Sequence, residues 1–96
     1  MYKIVYKLKA LEEYEQSIEW YARRSIKTSE NFIIEVQKSI EEIKLNPTQF
    51  KNRYKKYYEI TLKKYPFDIV YIIENEKIVI MSIYHQKRNP KKKYKK

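Results

Sequence analysis

The chain has 96 residues, with 22 Lys plus Arg against 12 Asp plus Glu and a formal net charge of +10. Its length predicts one domain, 1–96, that buries roughly 65% of its unfolded surface in a single thin core. It contains no cysteine, no glycine and one histidine, which excludes disulfide scaffolds, thiolate zinc sites, glycine-rich phosphate loops and any mechanism or metal site that needs two imidazoles.

Tyr2 to Lys7 alternates with period two and predicts a short strand. From Ala10 to Arg24 the period changes. Leu11, Tyr14, Ile18 and Tyr21 form one stripe of an amphipathic helix, with Glu12, Glu13, Glu15 and Glu19 off it. The first three of these acids sit early, where the macrodipole favours anions, and Arg23 and Arg24 close the helix. Trp20 falls off the stripe and either covers a core edge or awaits a partner. Ser25 to Ser29 reads as a connection, with Thr28 or Ser29 as the cap of a second helix. Phe32, Val36, Ile40 and Ile43 carry that helix to Asn46-Pro47, where proline disfavours helical geometry in the residue before it. The two helices make an antiparallel hairpin.

Thr48 to Lys56 reads as a polar, basic loop. Tyr57 to Lys63 alternates again, and Phe67 to Ile73 is β-branched and strand-like. Between that strand and the next, Glu74-Asn75-Glu76-Lys77 makes a turn in which Asn75 best accepts positive φ. Ile78 to Tyr84 is almost continuously apolar, which predicts a central strand covered on both faces. The expected fold is therefore α+β. An N-terminal strand and a two-helix hairpin pack on a small antiparallel sheet in the order β-α-α-β-β-β. The sheet's other face is expected to be partly open. Residues 86–96 form a basic tail, either disordered or one last helical turn.

Charge divides the chain. Residues 1–46 carry eight basic and eight acidic groups, whereas residues 47–96 carry 14 basic and four acidic. Such a half implies a polyanionic or strongly acidic partner. Arg53, Lys55, Lys56 and Lys87, with Tyr58 among the interleaved tyrosines, resemble a nucleic-acid or target-binding footprint, in which cations neutralise phosphates and rings stack. The plainer alternative is a sheet edge guarded by lysines. His85 sits at the end of the central strand with the parity of Val79, Met81 and Ile83. If the protein cleaves RNA without metal, His85, Lys63 or Lys64, Arg88 and Tyr94 supply the acid–base and charge-stabilising groups. No spacing suggests a metal site, and no cofactor is expected. No apolar run approaches the length of a membrane span, and the N-terminus lacks a signal-peptide core, so cytoplasmic residence is the expectation.

Taken in order, the motifs resemble the RelE/ParE superfamily of toxins from type II toxin–antitoxin modules. The first helix carries Ile18-Glu19-Trp20-Tyr21. The second has Phe32 and Val36 and ends at Asn46-Pro47, with Phe50 three residues on. Tyr65-Pro66-Phe67-Asp68-Ile69-Val70-Tyr71 is similar to the family's "fPy-x-i-x-Y" strand. Ile80 to Pro90, with His85 and Arg88, is similar to its "i-x-x-i-x-H-x-x-R-x-P" ending. The resemblance implies a helical hairpin on an antiparallel sheet, a cognate acidic antitoxin, and one of two targets. ParE-like members inhibit DNA gyrase, and this is the reading preferred for a chain whose His85-x-x-Arg88-x-Pro90 ending also occurs in plasmid-stabilisation members. RelE-like members cut mRNA on the ribosome without metal. By position, Lys63, Lys64, His85, Arg88 and Tyr94 correspond to their working residues, although Tyr94 is displaced behind three lysines. A non-toxic RNA-binding protein is the third alternative.

Overall fold

The computed structural model describes residues 2–87, 93 and 94, without the side chain of Arg53. Its elements are β1 (Lys3–Tyr6), α1 (Leu8–Ala22), α2 (Ile26–Leu45), β2 (Lys51–Tyr54), β3 (Tyr57–Thr61), β4 (Phe67–Glu74) and β5 (Lys77–His85). The α+β architecture is the expected one. Within it the sheet differs from expectation in two respects. It has five strands, in the order β1-β5-β4-β3-β2, and it is mixed, because β1 runs parallel to β5. Alternation reports which side chains share a face but carries no information on strand direction. The unexpected strand β2 lies at the sheet's edge. Lys51, Asn52 and Tyr54 are exposed there, so its sequence reads as a loop.

The helices cover one face. On α2, Phe32, Val36, Ile40 and Ile43 are all buried, as their spacing predicts. On α1 the line nearest the sheet is Ala10, Glu13 and Ser17, and Leu11 is exposed. Small residues at positions 10 and 17 let the helix lie close over β5, and Tyr14, Ile18 and Tyr21 pack to its side. The first turn of α1 holds no acidic residue, because the helix begins at Leu8 rather than Ala10, and Arg23 is already its C-cap. The expected cap of α2 also moves. Ser25 caps it by accepting from the Thr28 N–H at 3.2 Å, while Ser29 is buried inside the helix and donates to the Ile26 carbonyl. The helix stops at Leu45, just before Asn46-Pro47. Tyr71, fully buried in β4, ties that end down by donating its hydroxyl to the Pro47 carbonyl at 2.6 Å. Burial pushes this phenol's pKa well up.

Strand β5 lies between β1 and β4 and is buried from Ile78 to Tyr84. The register slips between Val70 and Tyr71, which pair with Ser82 and Ile80, so Met81 is an extra residue. Ile78, Ile80 and Ile83 therefore face the helices, and Val79 and Met81 face away. The face without helices carries an apolar cluster of Tyr57, Val70, Ile72, Val79 and Met81. No helix among the described residues is long and apolar enough to cross a membrane.

With no glycine in the chain, two turns adopt positive φ at other residues. Asn75 does so at 56°, as its type predicts, and Lys55 at 49° in the β2–β3 hairpin. The left-handed region costs an L-residue with a Cβ about 1 kcal/mol. Lys55→Gly is expected to raise stability by up to about that amount, read as a higher urea midpoint at unchanged slope.

Candidate functional site

The bulge at Met81 settles where His85 lies. Unbroken alternation would align it with Val79 and Met81. After the extra residue it instead faces the helices, with its ring edge-on to Phe67 at 4.9 Å. It lines an open groove of about 580 Å³ between α1 and the β3–β4 connection, with Trp20, Tyr21, Pro66 and Lys87. The Lys87 N–H donates to Nδ1 of His85 at 3.1 Å. An accepting Nδ1 places the neutral ring's proton on Nε2. Trp20 is 52% exposed, and the Arg24 guanidinium lies 3.5 Å above its ring. The groove is thus aromatic and cationic, and His85 and Lys87 share it.

The other candidate residues lie elsewhere. Lys63 and Lys64 line a second groove of about 400 Å³ against α2. Their backbone N–H groups both donate to the Glu35 carboxylate, at 3.1 Å for Lys64, and Tyr65 donates its hydroxyl to the Thr28 carbonyl at 3.0 Å. The loop is therefore held from α2 at several points. Burial pushes the Tyr65 phenol's pKa up, as does the nearby Glu35 charge. Tyr58 faces the core and stacks on Tyr71 at 5.5 Å, so it does not present its ring on the open face. Lys55 and Lys56 form the β2–β3 turn beside Tyr54, Tyr57 and Tyr94. Arg53 belongs to β2, and its side chain lies outside the described residues, as does all of Arg88.

Tyr94 packs on the sheet face opposite His85, against the Tyr57, Val70 and Met81 cluster. Its ring lies 4.9 Å from Tyr54 and 5.1 Å from Tyr57. Of the groups proposed for RNA cleavage, His85 and Tyr94 are on opposite faces, and Lys63 and Lys64 line a different groove from either.

Four carboxylates that the sequence did not single out organise these surfaces. Glu13 reaches from α1 to β5, Glu35 holds the β3–β4 loop, and Glu59 with Asp68 lies under Lys93 and Tyr94. For Glu59 and Asp68 the sequence carried a signal. They are two of four acids in a half with 14 basic groups, and they stand inside strands, whereas Glu74 ends β4 and Glu76 lies in the turn after it.

Solved structures share this fold. The chromosomal ParDE toxin–antitoxin system from P. aeruginosa matches with a TM-score of 0.75 at 14% identity, covering 88% of this chain and 96% of that one. The isolated E. coli RelE toxin matches with a TM-score of 0.62 at 17% identity, covering 95% and 90%. A YoeB–YefM complex from Staphylococcus aureus matches with a TM-score of 0.60 at 19% identity, covering 88% and 98%. No curated protein matches the chain in sequence. Residues 4–90 match the family described as the ParE toxin of the type II toxin–antitoxin system, parDE. The length of that match, over a helical hairpin packed on a five-stranded sheet, places this chain in the ParE toxin family of the RelE/ParE superfamily.

Proposed function

We propose that the protein is a ParE-like growth inhibitor that binds DNA gyrase, and that a cognate acidic antitoxin neutralises it. The observation that carries this reading is the separation of His85 from Tyr94 by the thickness of the sheet. General acid–base cleavage needs its groups within hydrogen-bond reach of one reacting phosphate. A binding inhibitor has no such requirement. The aromatic and cationic groove at His85 and the excess of basic groups in residues 47–96 both suit an acidic protein surface. An antitoxin partner is also in keeping with the RelBE and YoeB–YefM complexes of the same fold.

The test compares two assays on the same purified protein. Supercoiling by gyrase is expected to stop while mRNA on programmed ribosomes stays whole, and co-expression of a neighbouring acidic reading frame is expected to restore growth. Cleaved message with supercoiling intact would reverse the assignment. A RelE-like ribonuclease is the second reading, favoured by the pairing of His85 with Lys87 in one open groove. In that case His85→Ala would lower the cleavage rate by roughly 10²-fold or more.

A further inference from the structure

Two of the four acidic groups in the basic half of the chain stand side by side on the sheet face that no helix covers. Glu59 of β3 and Asp68 of β4 have side chains only 5% and 9% exposed. The Lys93 ammonium sits between them, 2.8 Å from Glu59 Oε1 and 2.9 Å from Asp68 Oδ2. It also lies 5.4 Å from the Tyr84 ring centroid, on β5. Asp68 Oδ1 accepts from Thr61 at 2.8 Å and from Gln86 at 3.1 Å. Tyr94 donates its hydroxyl to Glu59 Oε2, its backbone carbonyl accepts from the Tyr57 hydroxyl at 3.3 Å, and its ring closes on Tyr54 and Tyr57. Two desolvated carboxylates, a donor on each of their four oxygens and an aromatic wall describe a built site for one ammonium.

We propose that Glu59, Asp68, Tyr57 and Tyr84 form a receptor for a lysine–tyrosine segment, and that the chain's own Lys93-Tyr94 fills it in cis as a strap across the open face of the sheet. The occupant follows from charge and place. Buried carboxylates on a protein of net charge +10 need a cation, and this one is already seated. The strap covers the apolar cluster around Val70, Ile72 and Met81, which would otherwise face water or another protein.

The clasp also responds to acid. Burial alone would raise the Asp68 pKa, but hydrogen bonds from Lys93, Thr61 and Gln86 and the Lys93 charge outweigh it and hold the carboxyl below its usual range. Burial likewise works against the Lys93 charge, and its bonds to Glu59 and Asp68 reverse the effect and raise its pKa. Closure is therefore fully favoured between the ordinary carboxylate and lysine ranges. It is lost as pH falls through the lowered Asp68 value, and again as pH rises through the raised Lys93 value.

The experiment is NMR on the full chain. With the ring packed at a tilt against Tyr54 and Tyr57, the Tyr94 ring protons should be displaced from their random-coil positions. Lys93→Gln is expected to return them there and to speed exchange of β3 amides by roughly tenfold, with methyl resonances of the helix-side core unchanged. Lys93→Arg should keep the closed pattern. A synthetic peptide of residues 91–96 should bind the Lys93→Gln, Tyr94→Ala double variant and perturb Glu59 and Asp68, while the unsubstituted chain, already filled, should not take it up. Tyr94 signals at random-coil positions in the unsubstituted chain, no response to Lys93→Gln, or equal peptide binding by both chains would overturn the proposal.

Discussion

Phe32→Ala is expected to destabilise the protein by about 4 kcal/mol, the range for removing a buried phenylalanine. The ring is fully buried on α2. It stands 6.0 Å from Tyr14 and 5.1 Å from Tyr21 on α1, 5.2 Å from Tyr65 in the β3–β4 connection, and 5.0 Å from Phe67 on β4. One side chain thus joins both helices, the loop and the sheet. Alanine loses the transfer free energy of the ring and leaves a cavity that four neighbouring rings cannot collapse to fill. For a chain of this length the whole stability is on the order of 5–14 kcal/mol, so the variant keeps a modest margin or none. Urea unfolding followed by circular dichroism gives the measurement, with a lower midpoint at unchanged slope as the expected result. Phe32→Leu, which restores most of the volume, should cost much less. Because Phe67 supports both Phe32 and His85, the alanine variant should also loosen the groove that carries the imidazole.

Glu13→Ala is expected to cost about 3 kcal/mol, more than any ordinary helix-surface substitution. Strand β1 pairs with β5 only as far as Ile80, where the Lys7 N–H takes the Ile80 carbonyl at 3.0 Å. Beyond that point no strand among the described residues neighbours this edge of β5, and its amides need another acceptor. Glu13 Oε1 provides one, accepting from the Ile83 N–H at 3.0 Å and from the Ser82 hydroxyl at 2.8 Å. Lys9 lies one turn back, 3.8 Å from Oε2. Alanine would leave two buried donors without this acceptor. Glu13→Gln retains a carbonyl oxygen at the same place and should recover most of the loss. Equal destabilisation by both substitutions would mean that the charge, not the acceptor, matters there.

Glu13 shows why part of this molecule could not be read from its sequence. On a helical wheel it stands beside the apolar stripe and reads as one of several solvated acids near the start of α1. Its role depends on where β1 stops along β5, a contact across about 70 positions of chain. The same holds for His85. Its parity placed it with Val79 and Met81 until a single bulged residue, set by pairing with β4, turned it to the helix side. Tyr58 reads as one of the interleaved tyrosines of a binding footprint, and its ring instead stacks on buried Tyr71.

Local interactions were legible because their signals lie within a few residues. The stripe of Phe32, Val36, Ile40 and Ile43, the stop before Pro47, the positive φ of Asn75 and the continuous burial of β5 all follow from short-range sterics and periodicity. The ordered motifs from Trp20 to His85 carried the family as well, since they record that same packing of helices on strands. Tertiary structure alone decided the parallel pairing of β1, the edge position of β2, the bulge, and the placing of Lys93 between Glu59 and Asp68. Each depends on hydrogen bonds or charges between segments far apart in the chain, whose partners exist only once the sheet has formed.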